Sequence, residues 1–150
     1  MPVAKPPRPR VVVGAVLVLV GAALSLVGVF LPWLSTGGVT GNGLDDYFFE
    51  DADLELQIVE SPGTAVIFGA VVVLGLGLTL LLAGRVLAVA IVAIVAAVIG
   101  VVMGLAMVGI VDDTREWLGE GTLGIGVILQ PIGPLVVLGG AIAATAKRRR

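Results

Sequence analysis

Asp51, Asp53 and Glu55 alternate like the oxygen ligands that open a calcium-binding loop, and Asp45, Asp46 and Glu50 stand just before them. Carboxylates at that spacing suit a hard divalent cation. The full pattern fails, because the sixth position is Leu56 where the loop needs glycine and the twelfth is Pro62 where it needs a bidentate glutamate. What remains is weak divalent binding by Asp45, Asp46, Glu50 and Asp51, or a solvated acidic face. A charge run without a ligand pattern favours the second. Tyr47, Phe48 and Phe49 are embedded in the same stretch, and such a cluster either packs on its own bundle, dips into headgroups or docks another protein. Trp33 and Trp117 join them as interface anchors or docking residues. The other polar candidate is Gln130-Pro131, with Pro134 one turn later. Pro131 cannot donate to the carbonyl of Val127 and crowds it, so a helix there kinks or starts late and leaves acceptors for the Gln130 amide. The site is either a hinge or small ligand site, or a kink satisfied by its neighbours.

Most other chemistry is excluded by composition. The chain has no cysteine and no histidine, which removes disulfides, thiolate nucleophiles, Cys-ligated metals and imidazole acid–base work. No HExxH motif, intramembrane aspartate pair or Ser–His dyad is present. We therefore expect no enzyme, no cofactor and no resident metal.

The elements that must position these residues follow from hydropathy. Of 150 residues, 58% are hydrophobic and 13% charged, and the mean hydropathy is +1.14; a soluble domain is far less apolar. Four uncharged runs carry the excess, at residues 11–31, 62–83, 86–111 and 123–146. Each reaches the ~20 residues that span about 30 Å of hydrocarbon, and none alternates as a β-barrel strand does. The expected fold is an all-α, four-transmembrane-helix bundle in a single domain, 1–150, with outer loops 32–61 and 112–122.

Charges sort by side. Lys5, Arg8, Arg10, Arg85 and the tail Lys147-Arg148-Arg149-Arg150 fall on one side, while all 11 acidic residues fall in the other two loops, with Arg115 the lone basic residue among them. By the positive-inside rule both termini are cytoplasmic in a multi-pass protein of the cell membrane. The first run is longer than a signal-peptide core and lacks a good cleavage site, so its retention as a span is expected.

Only Gly84 and Arg85 separate spans two and three, which implies a tight antiparallel hairpin. Ser61-Pro62 reads as an N-cap with proline at the first helical position. Residues 51–58 alternate like a half-buried strand, with 33–36 or 39–44 as pairing candidates, so the loop is expected to form a small cap, with a short β-hairpin within reach. Residues 112–118 read as a short helix that can run on from span three.

Within the spans, Gly14, Gly21 and Gly28 recur every seven residues, as do Gly126, Gly133 and Gly140; Ala96, Gly100 and Gly104 recur every four. These are the periods of close helix contact, either inside the chain or in a homo-oligomer. The only polar side chains in the spans are Ser25, Thr79, Gln130 and, near the ends, Thr64 and Thr145. The absence of ionisable groups argues against an ion-coupled pump.

The end of span one, Gly28-Val-Phe-Leu-Pro-Trp-Leu-Ser-Thr-Gly-Gly38, with Gly124-Ile-Gly-Val-Ile-Leu opening span four and a basic tail, resembles four-span integral membrane proteins of high-GC actinobacteria. That resemblance implies an integral membrane protein and carries over no catalytic residue. The layout is also similar to that of claudins, without their loop cysteines or Trp-Gly-Leu-Trp signature. Three function classes follow: an accessory or assembly subunit of an envelope complex that docks through its outer loop, an oligomeric channel or uncoupled exporter with Gln130 lining the pore, and, least supported, an intramembrane enzyme. The expected partners are the lipid bilayer and another membrane protein or a second copy; nothing points to nucleic acid.

Overall fold

A computed structural model describes residues 9–45, 61–83, 87–117, 119 and 121–146. Four helices long and apolar enough to cross a membrane make up most of it: α1 (Pro9–Phe30), α2 (Pro62–Ala83), α3 (Leu87–Trp117) and α4 (Ile125–Thr145). The protein is a multi-pass membrane bundle that meets lipid along its helices. Three short strands, β1 (Pro32–Thr36), β2 (Val39–Asn42) and β3 (Thr122–Leu123), form an antiparallel sheet in the order β2-β1-β3.

Helix limits follow local chemistry. Pro9 opens α1, where its missing N–H has no intrahelical role, and Pro32 falls just beyond its end. α3 runs unbroken through residues 112–117, the short helix expected there being continuous with span three. Its 31 residues make it about 46 Å long at 1.5 Å per residue, more than the hydrocarbon requires, so it extends past the span. There Arg115 pairs with Asp112 at 2.8 Å, one helical turn away. The lone basic residue of the acidic loops thus has its charge compensated locally. Both groups are partly exposed to solvent, which screens the pair, so Arg115→Ala is expected to shift thermal unfolding by less than about 0.5 kcal/mol equivalent.

The sheet joins the two acidic loops. Gly37 and Gly38 both have positive φ, 54° and 84°, as the two central residues of a type I′ hairpin require, and they fold β2 back on β1 with Thr36 opposite Val39. The two segments proposed as partners for residues 51–58 therefore pair with each other, and 51–58 itself lies outside the described residues. β3 comes from the second loop and sets Leu123 opposite Leu34 and Thr122 opposite Ser35. Two residues are too few to leave an alternation in the sequence, and so α4 begins at Ile125 rather than at 123.

The helices divide into two kinds. In the most apolar windows of α1 and α4, 44% of residues are buried, against 22% in α2 and 17% in α3. α1 and α4 lie antiparallel with their glycines face to face. A Cβ on Gly14 would stand 2.6 Å from the Gly140 carbonyl oxygen, one on Gly21 2.5 Å from that of Gly133, and one on Gly28 3.1 Å from that of Gly126. No real Cβ sits within 3.0 Å of backbone, so the first two contacts exist only because these residues lack one. The seven-residue seams are thereby used within the chain. α2 leans on α1 where Gly77 faces Leu19 and Val18, and α3 leans on α4 where Gly100 faces Pro134 and Gly104 faces Gln130 and Pro131.

α2 and α3 share a core cluster that includes Val73, Leu80, Ala90, Ala93 and Ala97, yet toward the sheet they diverge around a groove. The tight connection expected at Gly84-Arg85 lies outside the described residues, and the groove is at the opposite end of the two helices. On the α2 side of the groove, Gly69 has nothing within 4 Å of where a Cβ would be.

Candidate functional site

Two places concentrate polar groups on a built framework: the cap at the sheet end and the groove beneath it. The cap is organised around Trp33. Its indole is 1% exposed, and Nε1 donates to the Gly28 carbonyl at 2.9 Å, one of the acceptors left open where α1 ends. Trp33 packs in a small core with Leu34, Val111 and Val127, which ties β1 to α3 and α4. As a buried anchor it is not available as a docking surface. An aromatic after a span ordinarily anchors at the membrane interface; here, beside the bulge between Pro32 and Leu34, the ring is buried in the protein.

Gly43 completes the joint. Its N–H donates to the Val29 carbonyl at 3.0 Å, and its own carbonyl accepts from the Gly63 N–H at 2.7 Å. One residue therefore satisfies an orphan acceptor at the end of α1 and an orphan donor at the start of α2. A Cβ there would meet the Trp33 ring at 2.6 Å, so only glycine fits. Ser61, buried at the mouth of α2, shares a 2.6 Å hydrogen bond between its hydroxyl and that of Thr64, and the Thr64 N–H donates to the Ser61 carbonyl at 3.1 Å. On the other side the Gly124 N–H donates to the Trp33 carbonyl at 2.8 Å.

The acidic candidates are only partly within view. Asp45 uses its carboxylate to accept the Asn42 N–H at 2.7 Å, while the Asn42 side-chain oxygen accepts from the Leu44 N–H at 2.8 Å. Asp45 thus closes a turn after β2. Asp46, Glu50 and Asp51, like Tyr47, Phe48 and Phe49, lie outside the described residues. Trp117 ends α3, and its side chain lies outside them too. Among the described residues no three potential metal ligands come together.

Gln130 sits inside α4, which passes through Pro131 and Pro134 without ending. Pro131 leaves the Val127 carbonyl without its helical donor, and Pro134 does the same for the Gln130 carbonyl. Gly104 of α3 presses against this stretch: a Cβ on it would lie 2.6 Å from the Pro131 nitrogen and 2.8 Å from the Gln130 carbonyl oxygen. Proline and glycine here are complementary, since the ring thickens α4 where α3 has no side chain. The Gln130 side chain is 2% exposed, and Nε2 makes two long contacts, 3.5 Å to the Ser25 carbonyl and 3.4 Å to the Gly126 carbonyl. Ser25 in turn donates to the Gly21 carbonyl at 3.3 Å.

Gln130 and Ser25 form part of the floor of the groove, which measures about 390 Å³. Its walls are the sheet-end halves of α2, with Phe68 and Gly69, and of α3, with Met103 and Met107. The wall residues escaped sequence reading, because a uniformly apolar span gives no sign of which neighbour it fails to meet. The signal that was present was the seam of glycines on α1 and α4, which pairs those two helices and leaves α2 and α3 to the outside. Comparisons with protein-family models, curated proteins and solved structures found no match.

Proposed function

We propose that the chain is an accessory or assembly subunit of a cell-envelope membrane complex, and that it docks its partner with the cap at the sheet end. The observation that carries this reading is the joining of both outer loops into one sheet anchored by Trp33 and Gly43. A protein whose loops only connected spans would have no use for a third strand borrowed from the far loop. The cap also brings the projecting end of α3, with Asp113 and Glu116 exposed, beside the hairpin, a polar surface of the kind that rims a protein interface. The aromatic run Tyr47-Phe48-Phe49 lies in the chain between β2 and α2 and supplies the side chains most enriched at interface centres.

The alternative, an oligomeric channel, draws less support. The seven-residue seams through which copies would associate are occupied inside each chain, and Gln130 faces the interior of its own bundle.

In this proposal the protein lies in the cytoplasmic membrane with the sheet outside and both termini in the cytoplasm, as the basic segments demand. The chain has no native cysteine, so single cysteines report topology without background. A membrane-impermeant maleimide applied to intact cells should label Thr40→Cys and leave Ala146→Cys unlabelled until the cells are opened; the reverse pattern would invert the orientation. The docking role is tested by isolating the tagged protein from its native membranes in a mild detergent and weighing the particle. A stoichiometric heteromer is expected. A particle containing only this chain, as monomer or multimer, would remove the reading.

A further inference from the structure

The groove carries a feature that the docking role does not use. Both hydrogen bonds of the Gln130 side chain leave from Nε2, toward α1 and its own helix, and Oε1 accepts none. Among the described residues no enclosed side-chain oxygen lacks a partner, so Oε1 is not enclosed. On a residue 2% exposed that lines the groove, it opens into the groove. A carboxamide oxygen in an otherwise apolar recess is an acceptor waiting for one donor, and leaving it unmet is costly in a low-dielectric setting.

Water answers this only at the minimum: a buried water needs two to four polar partners, and the groove floor gives it two acceptors, Oε1 and the Ser25 hydroxyl that already donates to Gly21, and no donor. The volume of about 390 Å³ falls in the ~300–1,000 Å³ range of small-molecule sites. The opening lies between α2 and α3 at the level of the spans, so what enters arrives from the lipid phase. Gln130 is five residues into α4, about 7.5 Å below its start.

We propose that the groove between α2 and α3 binds a slender apolar molecule bearing a hydroxyl, a long-chain alcohol or a hydroxylated lipid, with that hydroxyl donating to Oε1 of Gln130 and the apolar body lying along Phe68, Met103 and Met107. Ser25 supports the site by fixing the α1 backbone to which Nε2 turns. Gly69, with nothing within 4 Å of a Cβ position, keeps the entrance clear.

The test uses the full chain in phospholipid nanodiscs with ¹³C-methyl-labelled methionine. Met103 and Met107 line the groove, and the sequence holds just one other methionine, Met1, so their methyl signals report occupancy. Titration with 1-dodecanol is expected to shift both signals saturably, with an affinity about five- to tenfold higher than for dodecane, the increment of one hydrogen bond. Gln130→Leu should erase that difference while leaving dodecane binding in place. Gly69→Leu fills open space and should abolish saturable binding of both ligands in a folded protein, which keeps the test decisive if the Gln130 variant does not fold. Equal affinity for alcohol and alkane, non-saturable shifts, or saturable binding that survives Gly69→Leu would each overturn the proposal. The partner-docking reading predicts none of these results, so the two stand or fall separately.

Discussion

Replacing Gly21 by valine is expected to leave little folded protein, whereas the same replacement at Gly139 should be tolerated. Both glycines lie in membrane helices one turn or more from either end, so helix propensity and hydrophobicity change alike. Their surroundings differ completely. A Cβ on Gly21 would sit 2.5 Å from the Gly133 carbonyl oxygen and 2.7 Å from the Val137 nitrogen, both backbone atoms, while Gly139 has nothing within 4 Å. Neither helix can rotate out of the collision, because the same seam fixes Gly14 against Gly140 above or below it. Overpacking a core usually costs about 1–3 kcal/mol. Here two backbones must separate along a whole interface, so the loss should reach or exceed the upper end of that range, and bundle stability of ~5–15 kcal/mol leaves little margin. Fluorescence-detected size-exclusion after a temperature ramp separates the outcomes: the Gly21 variant should be aggregated or degraded, and the Gly139 variant should melt within a few degrees of the parent.

Trp33→Ala is expected to detach the cap while leaving the spans inserted. The substitution removes the largest fully buried side chain among the described residues, a change that costs about 3–5 kcal/mol in a packed core. It also strands the Gly28 carbonyl, and Gly43 loses the ring against which it packs. Trp33→Phe isolates the second effect, since it keeps most of the ring and deletes one hydrogen bond, for a cost of about 1 kcal/mol. Hydrogen exchange at the β1, β2 and β3 amides reads this directly. In Trp33→Ala the amides of β1 and β2 should lose protection while those in the middle of α1 and α4 keep it. Uniform loss across all elements would mean that the cap and the bundle fold as one unit.

The spans were legible because lipid imposes a length and an apolar composition that no loop satisfies. The pairing of α1 with α4 was legible as a rhythm, Gly14-Gly21-Gly28 against Gly126-Gly133-Gly140, although spacing by itself does not say whether the facing seam belongs to the same chain. The hairpin turn at Gly37-Gly38 was missed, because both segments that flank it were matched to the alternation of residues 51–58. What the sequence concealed depended on long-range partners: β3, two residues whose strand character comes entirely from Leu34 and Ser35; the inward turn of Trp33; and the use of Gly43 to join two helix ends. The groove was concealed for a different reason. It arises where α2 and α3 fail to meet, and a missing contact leaves no mark in a run of valine, leucine and glycine. Gln130 could be singled out as unusual from its type and depth, but which of its two polar atoms is free is a property of the folded bundle.

The central claim is that the cap, and not the lipid-facing flank of the bundle, meets a protein partner. Photo-crosslinking in native membranes tests it position by position, with benzoylphenylalanine placed at Thr40 and Glu116 in the cap and at Val13 and Val95 on exposed faces of α1 and α3. The claim predicts a heteromeric product of one discrete mass from a cap position, lost when Trp33→Ala is added, and no protein product from Val13 or Val95. Protein products confined to Val13 or Val95, or products from the cap that contain only this chain, would contradict it.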